Sequence, residues 1–394
     1  MKKKDNDVRV GVIGFGGAGQ AQTGHFSSMD GTEVTAIFDP KPEGRRRARL
    51  ISSRIMVTDK FDEFMASGIN AIAVCSNDKT HADYVVSAME AGLHVVCEKP
   101  LTDSLEGCRR ILHAQATAKG VIAAVQHQMR FLPVHIRMKE LIQSGKLGTI
   151  SYIEGYYVHN LTVRASLYDN WRFTDNATPL IYSGCHFVDL IRWLLDDEVE
   201  EVMGMANNIS FPEYPESDLN VILLRFRSGV IAKVVVAFGA ARPQDHSVRV
   251  YGTDASIENN LLFFQNGTYE VFSRPHLPQA KHRVGRHILR GRGFTELPRR
   301  MRIYCAARLL ETMMRLYGKD PQYGVSSYPI RLYPHDLAVR DSLQNFVNAI
   351  RGTESLQCSL KDAARTVAVC VAGVEAYRTG KPVRVSDFWL PELN

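Results

Sequence analysis

Short apolar runs alternate with longer amphipathic stretches over the first 127 residues. The runs are rich in Val and Ile and predict buried strands at Val8–Gly14, Val34–Asp39, Ala71–Ser76, His94–Glu98 and Val121–Val125. Between them, Thr80–Gly92 and Ser104–Gly120 each begin at a hydroxyl residue that can cap a helix and end at glycine. This alternation predicts right-handed βαβ units, and therefore a parallel sheet covered by helices on both faces.

The pattern changes after Gly148, where the apolar runs are typical of antiparallel strands. Val221–Phe226 and Val230–Phe238 flank Arg227-Ser228-Gly229 and predict a hairpin. Further strands are predicted at Thr149–His159, Ser247–Tyr251, Ser256–Glu258 and Tyr269–Phe272. Helices are predicted at Thr178–Leu195, Pro334–Arg351 and Leu360–Thr379.

A glycine-rich motif, Gly14-Phe15-Gly16-Gly17-Ala18-Gly19, follows the first predicted strand and precedes a helix-like segment. It fits GxGxxG, in which the glycines permit a tight turn, close approach of a pyrophosphate, and close packing of helix on strand. Free N–H groups at the start of the helix would bind the phosphates. We therefore predict a dinucleotide site that includes Gly14, Gly16, Gly17 and Ala18.

Asp39 closes the second predicted strand, 20 residues after Gly19. An acidic residue there binds the ribose hydroxyls of NAD and repels the 2′-phosphate of NADP, so Asp39 favours NAD, with NADP as the weaker choice. The alternative is that Lys41 and the three arginines at 45–47 bind a 2′-phosphate.

The predicted fold class is α/β. An N-terminal Rossmann dinucleotide-binding domain is expected over residues 1–130. A C-terminal α+β domain with a large, mainly antiparallel sheet is expected over residues 131–394, for substrate binding and oligomerisation. The C-terminal helices at 334–379 are assigned to this second domain.

Composition narrows the class of protein. With 45% hydrophobic and 23% charged residues in 394, the chain matches a soluble globular enzyme of two or three domains. Its seven cysteines are scattered and show no CxxC or CxxH spacing, which predicts reduced thiols, no metal site and a cytoplasmic location. The sequence shows no signal-type stretch and no apolar run long enough to span a membrane.

The net charge of +6 is concentrated in one segment, because residues 274–315 contain eleven basic and two acidic residues. The rest of the chain is mildly acidic and fits a neutral substrate. The segment forms part of a basic insertion at about 273–330, in which Leu297–Tyr317 is predicted as a helix with a wide apolar arc. Three interpretations stay open: an oligomer or lid element, a site for an anionic substrate such as a nucleotide sugar, and membrane-surface contact. We expect no nucleic-acid partner, because no recognition motif accompanies the charge.

Further motifs follow the glycine loop in order: Ser76-Asn77 with His81, AGLHVVCEKPL at 91–101, Arg130-Phe131-Leu132-Pro133, Gly145-Lys146-Leu147-Gly148, Trp171-Arg172 and Gly184-Cys185-His186. In this combination the chain resembles the Gfo/Idh/MocA oxidoreductases, the family of glucose–fructose oxidoreductase and inositol dehydrogenase. The resemblance covers about residues 8–270 and 330–385 and leaves the basic insertion without a counterpart.

The resemblance implies that Lys99 lies beside the nicotinamide and the reacting carbinol, that Asn77 and His81 line the cofactor cleft, and that His186 comes from the second domain. Ser76, Glu98 and Gln128 are further predicted cofactor contacts. Oxidation of an alcohol by NAD⁺ requires a base for the hydroxyl proton. Burial and a nearby cationic nicotinamide favour a neutral amine at Lys99, and a histidine titrates near neutrality.

This chain departs from the family pattern before that histidine. Where the sugar-oxidising members carry Asp-x-Gly-x-His, it has Tyr182-Ser183-Gly184-Cys185-His186. Residues i and i+4 share a helix face, so Tyr182 and His186 are expected to point into one cleft, with Tyr182 as a third catalytic residue. A phenol can donate to a substrate oxygen but cannot polarise an imidazole as a carboxylate does. The alternative is that Tyr182 only packs.

Other candidate substrate contacts are hydrogen-bonding and aromatic residues suited to a polyhydroxylated ring. With Lys99, Tyr182 and His186 they are Gln128, Arg130, His159, Arg164, Tyr168, Trp171 and Arg172. Arg164 or Arg172 alternatively binds a carboxylate or phosphate.

The sequence therefore predicts an NAD(P)-dependent oxidoreductase acting on CH–OH groups. NAD is the expected cofactor and a secondary hydroxyl of a sugar, glycoside or polyol the expected substrate. Two alternatives stay open: a non-catalytic regulator that senses NAD or sugar, and a glycosidase that uses tightly bound NAD in a transient oxidation. The resemblance implies a homodimer or homotetramer.

Overall fold

The computed structural model describes residues 8–162, 173, 177–242, 244–272 and 335–388. The predicted basic insertion and its helix at Leu297–Tyr317 lie outside these residues, as do Arg164, Tyr168, Trp171 and Arg172. None of the described helices is long and apolar enough to cross a membrane.

Six parallel strands form the first sheet, as the alternating pattern predicts. They are β1 (Val8–Ile13), β2 (Thr32–Phe38), β3 (Met56–Thr58), β4 (Ala71–Val74), β5 (His94–Cys97) and β6 (Ala123–Val125). Their order is β3-β2-β1-β4-β5-β6, so the direction of winding reverses between β1 and β4. In sheets of this kind ligands bind outside the carboxyl ends of the strands at that reversal. The helices between the strands are α1 (Gly17–Phe26), α2 (Pro42–Arg49), α3 (Phe61–Met65), α4 (His81–Glu90) and α5 (Leu105–Thr117).

Nine strands form the second sheet. They are β7 (Ile150–Val158), β8 (Val199–Asn207), β9 (Leu219–Phe226), β10 (Ile231–Ala237), β11 (Val248–Gly252), β12 (Ala255–Glu258), β13 (Leu261–Phe264), β14 (Tyr269–Val271) and β15 (Val383–Arg384). Their order is β14-β13-β12-β11-β7-β10-β9-β8-β15. Among the described strands, β7 and β10 pair in parallel and the other neighbours are antiparallel. The predicted α/β class with a large, mainly antiparallel second sheet is confirmed.

The hairpin predicted from Arg227-Ser228-Gly229 is present as β9 and β10. Four strands were missing from the prediction: β3, β8, β13 and β15. The first is only three residues long, and β8 carries Met203 and Met205 on an exposed face. Hydrophobic alternation identifies a strand best when one face is buried and the other is polar, and β8 breaks that rule.

The remaining helices pack between the two sheets and around them. They are α6 (Pro133–Gln143), α7 (Cys185–Leu195), α8 (His335–Ile350) and α9 (Leu360–Thr379). The predicted helix at Thr178–Leu195 is divided in the structure, because a π-helical turn, Leu180–Gly184, leads directly into α7.

The C-terminal helices do not belong to the second domain alone, which corrects their assignment. Leu343, Phe346 and Val347 of α8 are buried in the core that contains β1. The first half of α9 packs against the first sheet and its second half against the second sheet. The chain therefore returns to the first domain after completing the second, because the apolar faces of α8 and α9 cover surface that the first 130 residues leave exposed.

The cysteines described by the structure are free and buried: Cys75, Cys97, Cys108, Cys185, Cys358 and Cys370. Burial raises the pKa of these thiols, which makes them unreactive core residues. The cytoplasmic location stays a prediction.

Candidate active site

The glycine loop lies between the end of β1 and the start of α1, at the reversal point of the first sheet. Gly14 has φ of +83°, and a Cβ there would lie 2.8 Å from the carbonyl oxygen of Cys75. A Cβ at Gly19 would lie 2.0 Å from the carbonyl oxygen of Gly14. By contrast, no described atom lies within 4 Å of a Cβ built on Gly16 or Gly17. Gly14 and Gly19 are thus required by close contacts with backbone atoms, whereas Gly16 and Gly17 face open space.

The start of α1 suits a bound phosphate. Its N-cap is Gly16, no side chain caps it, and its first turn contains no acidic residue. The amide groups of that turn and the helix dipole therefore favour an anion, so the residues present fit the pyrophosphate of a dinucleotide.

This difference between the glycines predicts that one substitution affects NAD⁺ binding and the other affects stability. Gly16→Ala should leave the thermal unfolding temperature nearly unchanged and weaken NAD⁺ binding about tenfold or more. The added methyl group would keep the pyrophosphate from approaching the loop amides, and a hydrogen bond to a charged group is worth about 1.5–3 kcal/mol. Gly19→Ala should lower stability, because the new methyl group meets backbone. Calorimetric titration with NAD⁺ and thermal unfolding of both variants check this. Equal loss of stability in the two would contradict it.

Asp39 follows β2 and is buried beside the glycine loop. Its carboxylate accepts hydrogen bonds from the amides of Phe15 at 2.7 Å and Lys41 at 2.8 Å. A Cβ on Gly44 would lie 2.0 Å from the carboxylate, so α2 approaches it closely. Asp39 therefore holds the loop against the end of β2, and its contact with ribose stays a prediction.

The basic residues after Asp39 have partners within the protein. Arg45 forms an ion pair with Asp59 at 2.8 Å and donates to the carbonyl oxygen of Asp39. Arg46 pairs with Glu43 on the surface, and Arg47 lies 3.4 Å from the carbonyl oxygen of Phe15. Arg45 is thus engaged within the protein, whereas the Arg46 ion pair is exposed to solvent.

The predicted cofactor residues after β4 form a hydrogen-bonded turn. The hydroxyl groups of Ser76 and Thr80 lie 2.8 Å apart, and the Asn77 side chain accepts from the amide of Lys79. The His81 ring is buried between the carbonyl oxygens of Pro100 at 2.9 Å and Ser76 at 3.2 Å. Burial lowers the pKa of His81. His81 therefore stabilises the turn through its contacts with these backbone carbonyl oxygens.

Glu98 follows β5 and contacts α1. Its carboxylate accepts from the side-chain amide of Gln22 at 2.7 Å, and Gln22 also contacts Gln126. Sequence reasoning missed Gln22 and Gln126, because neither belongs to a motif. They join the carboxyl ends of neighbouring strands to the cofactor helix.

Lys99 joins the two domains at the candidate site. It follows β5, is half-buried, and its Nζ donates to the backbone carbonyl oxygen of Tyr182 at 2.8 Å. That carbonyl belongs to the π-helical turn before α7, and such turns occur frequently at functional sites. Burial raises the pKa of the Cys185 thiol to about 12, and the nearby positive charge of Lys99 opposes that rise. The geometry thus brings Lys99 to the helix start that carries His186.

The Tyr182 side chain is placed differently from the expectation. It is buried, and its hydroxyl lies 2.9 Å from that of Tyr214, which donates to the carbonyl oxygen of Ala177 at 3.0 Å. The hydroxyl of Tyr182 is thus hydrogen-bonded within the core, and its contact with Lys99 is made by the backbone. A catalytic role for Tyr182 stays a prediction.

Arg130, predicted as a substrate contact, lies in a buried ion-pair network in the structure. Its guanidinium is only 4% exposed and binds the Asp189 carboxylate at 2.8 and 2.6 Å, the Asp362 carboxylate at 2.6 Å and the Gln357 carbonyl oxygen at 2.6 Å. A guanidinium with this set of acceptors has no surface left for a sugar. Gln128 begins the same short turn, Gln128–Phe131, and its cofactor contact stays a prediction.

Asp362 also binds Arg192 at 3.1 Å, and Arg192 in turn pairs with Glu198. The ion pairs join the turn after β6, helix α7 and helix α9. Asp189 lies one turn beyond His186 on α7, so the network fixes the helix that carries the candidate base.

One described group has the spacing of a metal site: His127, Asp189 and Cys358, whose ligand atoms lie within 4.8 Å of one another. Both Asp189 oxygens already accept from Arg130, and burial lowers the pKa of His127 to about 4. A cation there would meet the charge of Arg130, so we assign no metal to it. The absence of a metal cofactor stays a prediction.

His186 and His159 are brought together by Tyr157. The Tyr157 ring stacks on the His186 ring with centroids 5.6 Å apart and on the His159 ring at 4.7 Å. It also stacks on His246 at 4.4 Å, and the Nε2 atoms of His159 and His246 lie 2.8 Å apart. Sequence reasoning identified the first two histidines but missed Tyr157 and His246.

Strand alternation could have found Tyr157, since it lies two residues before His159 on the same face of β7. His246 had no such indicator. It lies in the segment before β11, and a backbone bridge between Val158 and Asp245 brings that segment beside the end of β7.

Two family models match this chain. A model described as the oxidoreductase family, NAD-binding Rossmann fold, matches residues 8–127. A model of the GFO/IDH/MocA C-terminal domain matches residues 135–258.

The chain is also similar to individual proteins. An inositol 2-dehydrogenase of Rubrobacter xylanophilus is 30% identical over 278 residues, which cover 69% of this chain and 73% of that protein. A scyllo-inositol 2-dehydrogenase (NAD(+)) of Bacillus subtilis is 27% identical over 271 residues, covering 67% and 77%. The crystal structure of scyllo-inositol dehydrogenase from Lactobacillus casei with bound NAD(H) and scyllo-inositol has a TM-score of 0.72 and 18% identity, and the match covers 96% of this chain and 99% of that one. At that identity it shows a shared fold.

Proposed function

The chain belongs to the GFO/IDH/MocA oxidoreductase family, and from this we propose that it is an NAD-dependent dehydrogenase that oxidises a secondary hydroxyl of a sugar, glycoside or polyol. The observation that carries the proposal is the contact of Lys99 with the turn before His186. This contact joins the segment after β5 to the turn that leads into the helix carrying His186, which supports a shared role for Lys99 and His186.

Each group has a separate task in this proposal. Bound NAD⁺ supplies the hydride acceptor. Lys99 and His186 hold the hydroxyl group of the substrate and remove its proton, which oxidation of an alcohol requires. Tyr157 and His159 form the wall against which the ring of the substrate lies.

A polyol is the substrate class that similar proteins favour. The relatives from Rubrobacter xylanophilus and Bacillus subtilis are named inositol dehydrogenases. Rings that bear many hydroxyl groups suit a site lined by imidazoles, an amine and an aromatic face.

The test is a panel of inositols, other polyols, sugars and glycosides, incubated with the protein and NAD⁺ and followed at the NADH absorbance. Accumulation of NADH supports the dehydrogenase. Cleavage of a glycoside without net NADH supports the transient-oxidation glycosidase. NAD⁺ binding with neither product supports the sensor. Either of the last two results would replace the proposal.

We also propose that the protein is a homodimer or homotetramer that pairs through the open face of the nine-stranded sheet. Strand register places the outward side chains of β8 to β11 on this one face: Met203, Met205, Val221, Leu223, Lys233, Val235, Glu154, Tyr156, Arg249 and Tyr251. Met205 is 81% exposed and Leu223 43% exposed. Exposed apolar side chains such as Met203, Met205, Leu223 and Tyr251 on one sheet face are typical of subunit contacts.

Leu223→Asp should therefore reduce the oligomer to smaller species, because it places a charge in the middle of that face. Light scattering coupled to size exclusion measures the mass. Ile136→Asp on α6 is the matched control, since Ile136 is also an exposed apolar residue, at 42%. A monomeric wild-type protein, or equal masses for the three proteins, would argue against pairing through this face.

A further inference from the structure

The backbone and the side chain of Tyr182 make two separate contacts. Its backbone carbonyl oxygen accepts a hydrogen bond from Nζ of Lys99 at 2.8 Å. Its hydroxyl oxygen lies 2.9 Å from that of Tyr214, which donates to the carbonyl oxygen of Ala177 at 3.0 Å. Tyr182 thus connects Lys99 with Tyr214, a residue to which the proposed function gives no task.

The position of the Tyr182 carbonyl depends on tertiary packing, because the π-helical turn Leu180–Gly184 departs from the regular α-helix. The amides of Ile181 and Tyr182 both donate to the carbonyl oxygen of Thr178, at 3.0 and 3.2 Å. The N-cap of α7 is Gly184, which has no side chain to cap the helix. We therefore expect contacts from outside the turn to decide where the carbonyl lies.

Tyr214 is suited to supply such a contact, because its own position is fixed. It is 1% exposed, and its ring meets Phe238 edge-on with centroids 5.6 Å apart. Its backbone amide donates to the carbonyl oxygen of Phe211 at 2.9 Å. Its backbone carbonyl oxygen accepts from the side-chain amide of Asn208 at 2.8 Å. The segment between β8 and β9 therefore holds the Tyr214 hydroxyl in place beside the turn.

We infer that Tyr214 is a positioning residue for proton transfer, which acts by holding the Tyr182 carbonyl where it accepts from Lys99. The inference rests on the proposed function, in which Lys99 helps to remove the substrate proton. The Lys99 amine lies at the end of a flexible stem, and one fixed acceptor at 2.8 Å restricts its orientation. A displacement of about 1 Å in a catalytic arrangement can cost about 10²-fold in rate. The Tyr214 hydroxyl thus affects turnover without touching the substrate.

The experiment is a double-mutant cycle of Tyr214→Phe and Lys99→Ala, since phenylalanine keeps the ring and removes only the hydroxyl. For each protein of the cycle, kcat and KM for NADH formation are measured with the best substrate of the panel, and thermal unfolding reports whether it is folded. Tyr182→Phe removes the other hydroxyl of the same contact and is the second variant. Tyr377→Phe on α9 is the matched control, because Tyr377 is a partly buried tyrosine packed against the same core.

We expect Tyr214→Phe to lower kcat about 10-fold and to leave KM and NAD⁺ binding within a few-fold of wild type, since the contact serves the chemical step. The same substitution should have no further effect on kcat in the Lys99→Ala background, because the hydroxyl acts through Lys99. Tyr182→Phe should match Tyr214→Phe, and both substitutions together should be no worse than either alone. Tyr377→Phe should keep the kcat of wild type.

Three results would overturn the inference alone. One is an unchanged kcat in folded Tyr214→Phe. Another is an equal loss of kcat with and without Lys99, which indicates a general structural role. The third is a much larger loss in Tyr182→Phe than in Tyr214→Phe, because the phenol of Tyr182 would then act on the substrate directly.

Failure of the proposed function gives a different result. If folded Lys99→Ala keeps normal turnover, or if the wild type oxidises no member of the panel, the proposed function fails and the inference fails with it. If Lys99→Ala loses turnover but Tyr214→Phe does not, only the inference fails. If Tyr214→Phe does not fold, the same cycle with Tyr182→Phe decides between the two roles.

Discussion

Lys99→Ala should lose about 10³-fold in kcat, because general base catalysis contributes about 10²–10⁴-fold and alanine cannot accept a proton. NAD⁺ binding should stay within a few-fold of wild type, since the glycine loop and α1 are untouched. The measurements are steady-state NADH formation with the best substrate of the panel and calorimetric titration with NAD⁺.

Lys119→Ala is the matched control for this variant, since Lys119 is exposed after α5. It should behave as wild type. Lys99 also donates to the Tyr182 carbonyl across the domains, so the thermal unfolding temperature of Lys99→Ala must be measured in parallel. Normal turnover by folded Lys99→Ala would reject Lys99 as a catalytic residue.

Arg130→Met should destabilise the protein by about 3–5 kcal/mol, which is the usual cost of removing one partner from a buried ion pair. The substitution leaves the carboxylates of Asp189 and Asp362 without their shared guanidinium. Urea unfolding at neutral pH measures the loss. A substrate contact at Arg130 would instead predict a raised KM with little loss of stability.

Arg137→Met on α6 is the control for this loss. The ion pair of Arg137 with Glu140 is about half-exposed on both sides, and exposed pairs contribute about 0–1 kcal/mol. If Arg130→Met were as stable as Arg137→Met but raised KM strongly, the structural assignment would be wrong and the substrate assignment would return.

The same network predicts how stability depends on pH. Burial alone would raise the pKa of Asp362, but Arg130 and Arg192 lower it from 3.8 to about 2. A carboxyl group with a lowered pKa in the folded protein contributes stability above its unfolded pKa and loses it as the pH falls toward the folded value. The wild type should therefore lose about 2 kcal/mol between about pH 4 and pH 2 through this group. Arg130→Met should lose less over that interval, because Asp362 has lost one of its two partners.

Much of the first domain could be predicted because local patterns decide it. The strands β1, β2, β4, β5 and β6 are buried apolar runs, and the glycine motif has only one backbone solution, as the contacts of Gly14 and Gly19 show. Lys99 was found by motif alone, as part of the run at residues 91–101.

Other residues could not be assigned because their role depends on their neighbours. The sequence around Arg130 does not distinguish a substrate contact from a buried ion pair. The position of the Arg130 side chain is set by its ion pairs with Asp189 and Asp362, which lie 59 and 232 positions away in the chain. The spacing of Tyr182 and His186 suggested one shared cleft. The π-helical turn and the hydroxyl of Tyr214 instead hold the Tyr182 side chain in the core.

By itself the sequence determined the fold class, the dinucleotide loop and the family, because these depend on periodicity and on short motifs whose backbone geometry is local. That Lys99 and His186 handle the proton is our proposal. Only the tertiary structure decided that α8 returns to the first domain, that Arg130 stabilises the fold and that His246 lies against His159. Each of these three features depends on a contact between residues that are distant in the chain. Such contacts arise from tertiary packing and cannot be recognised from the neighbouring residues in the sequence.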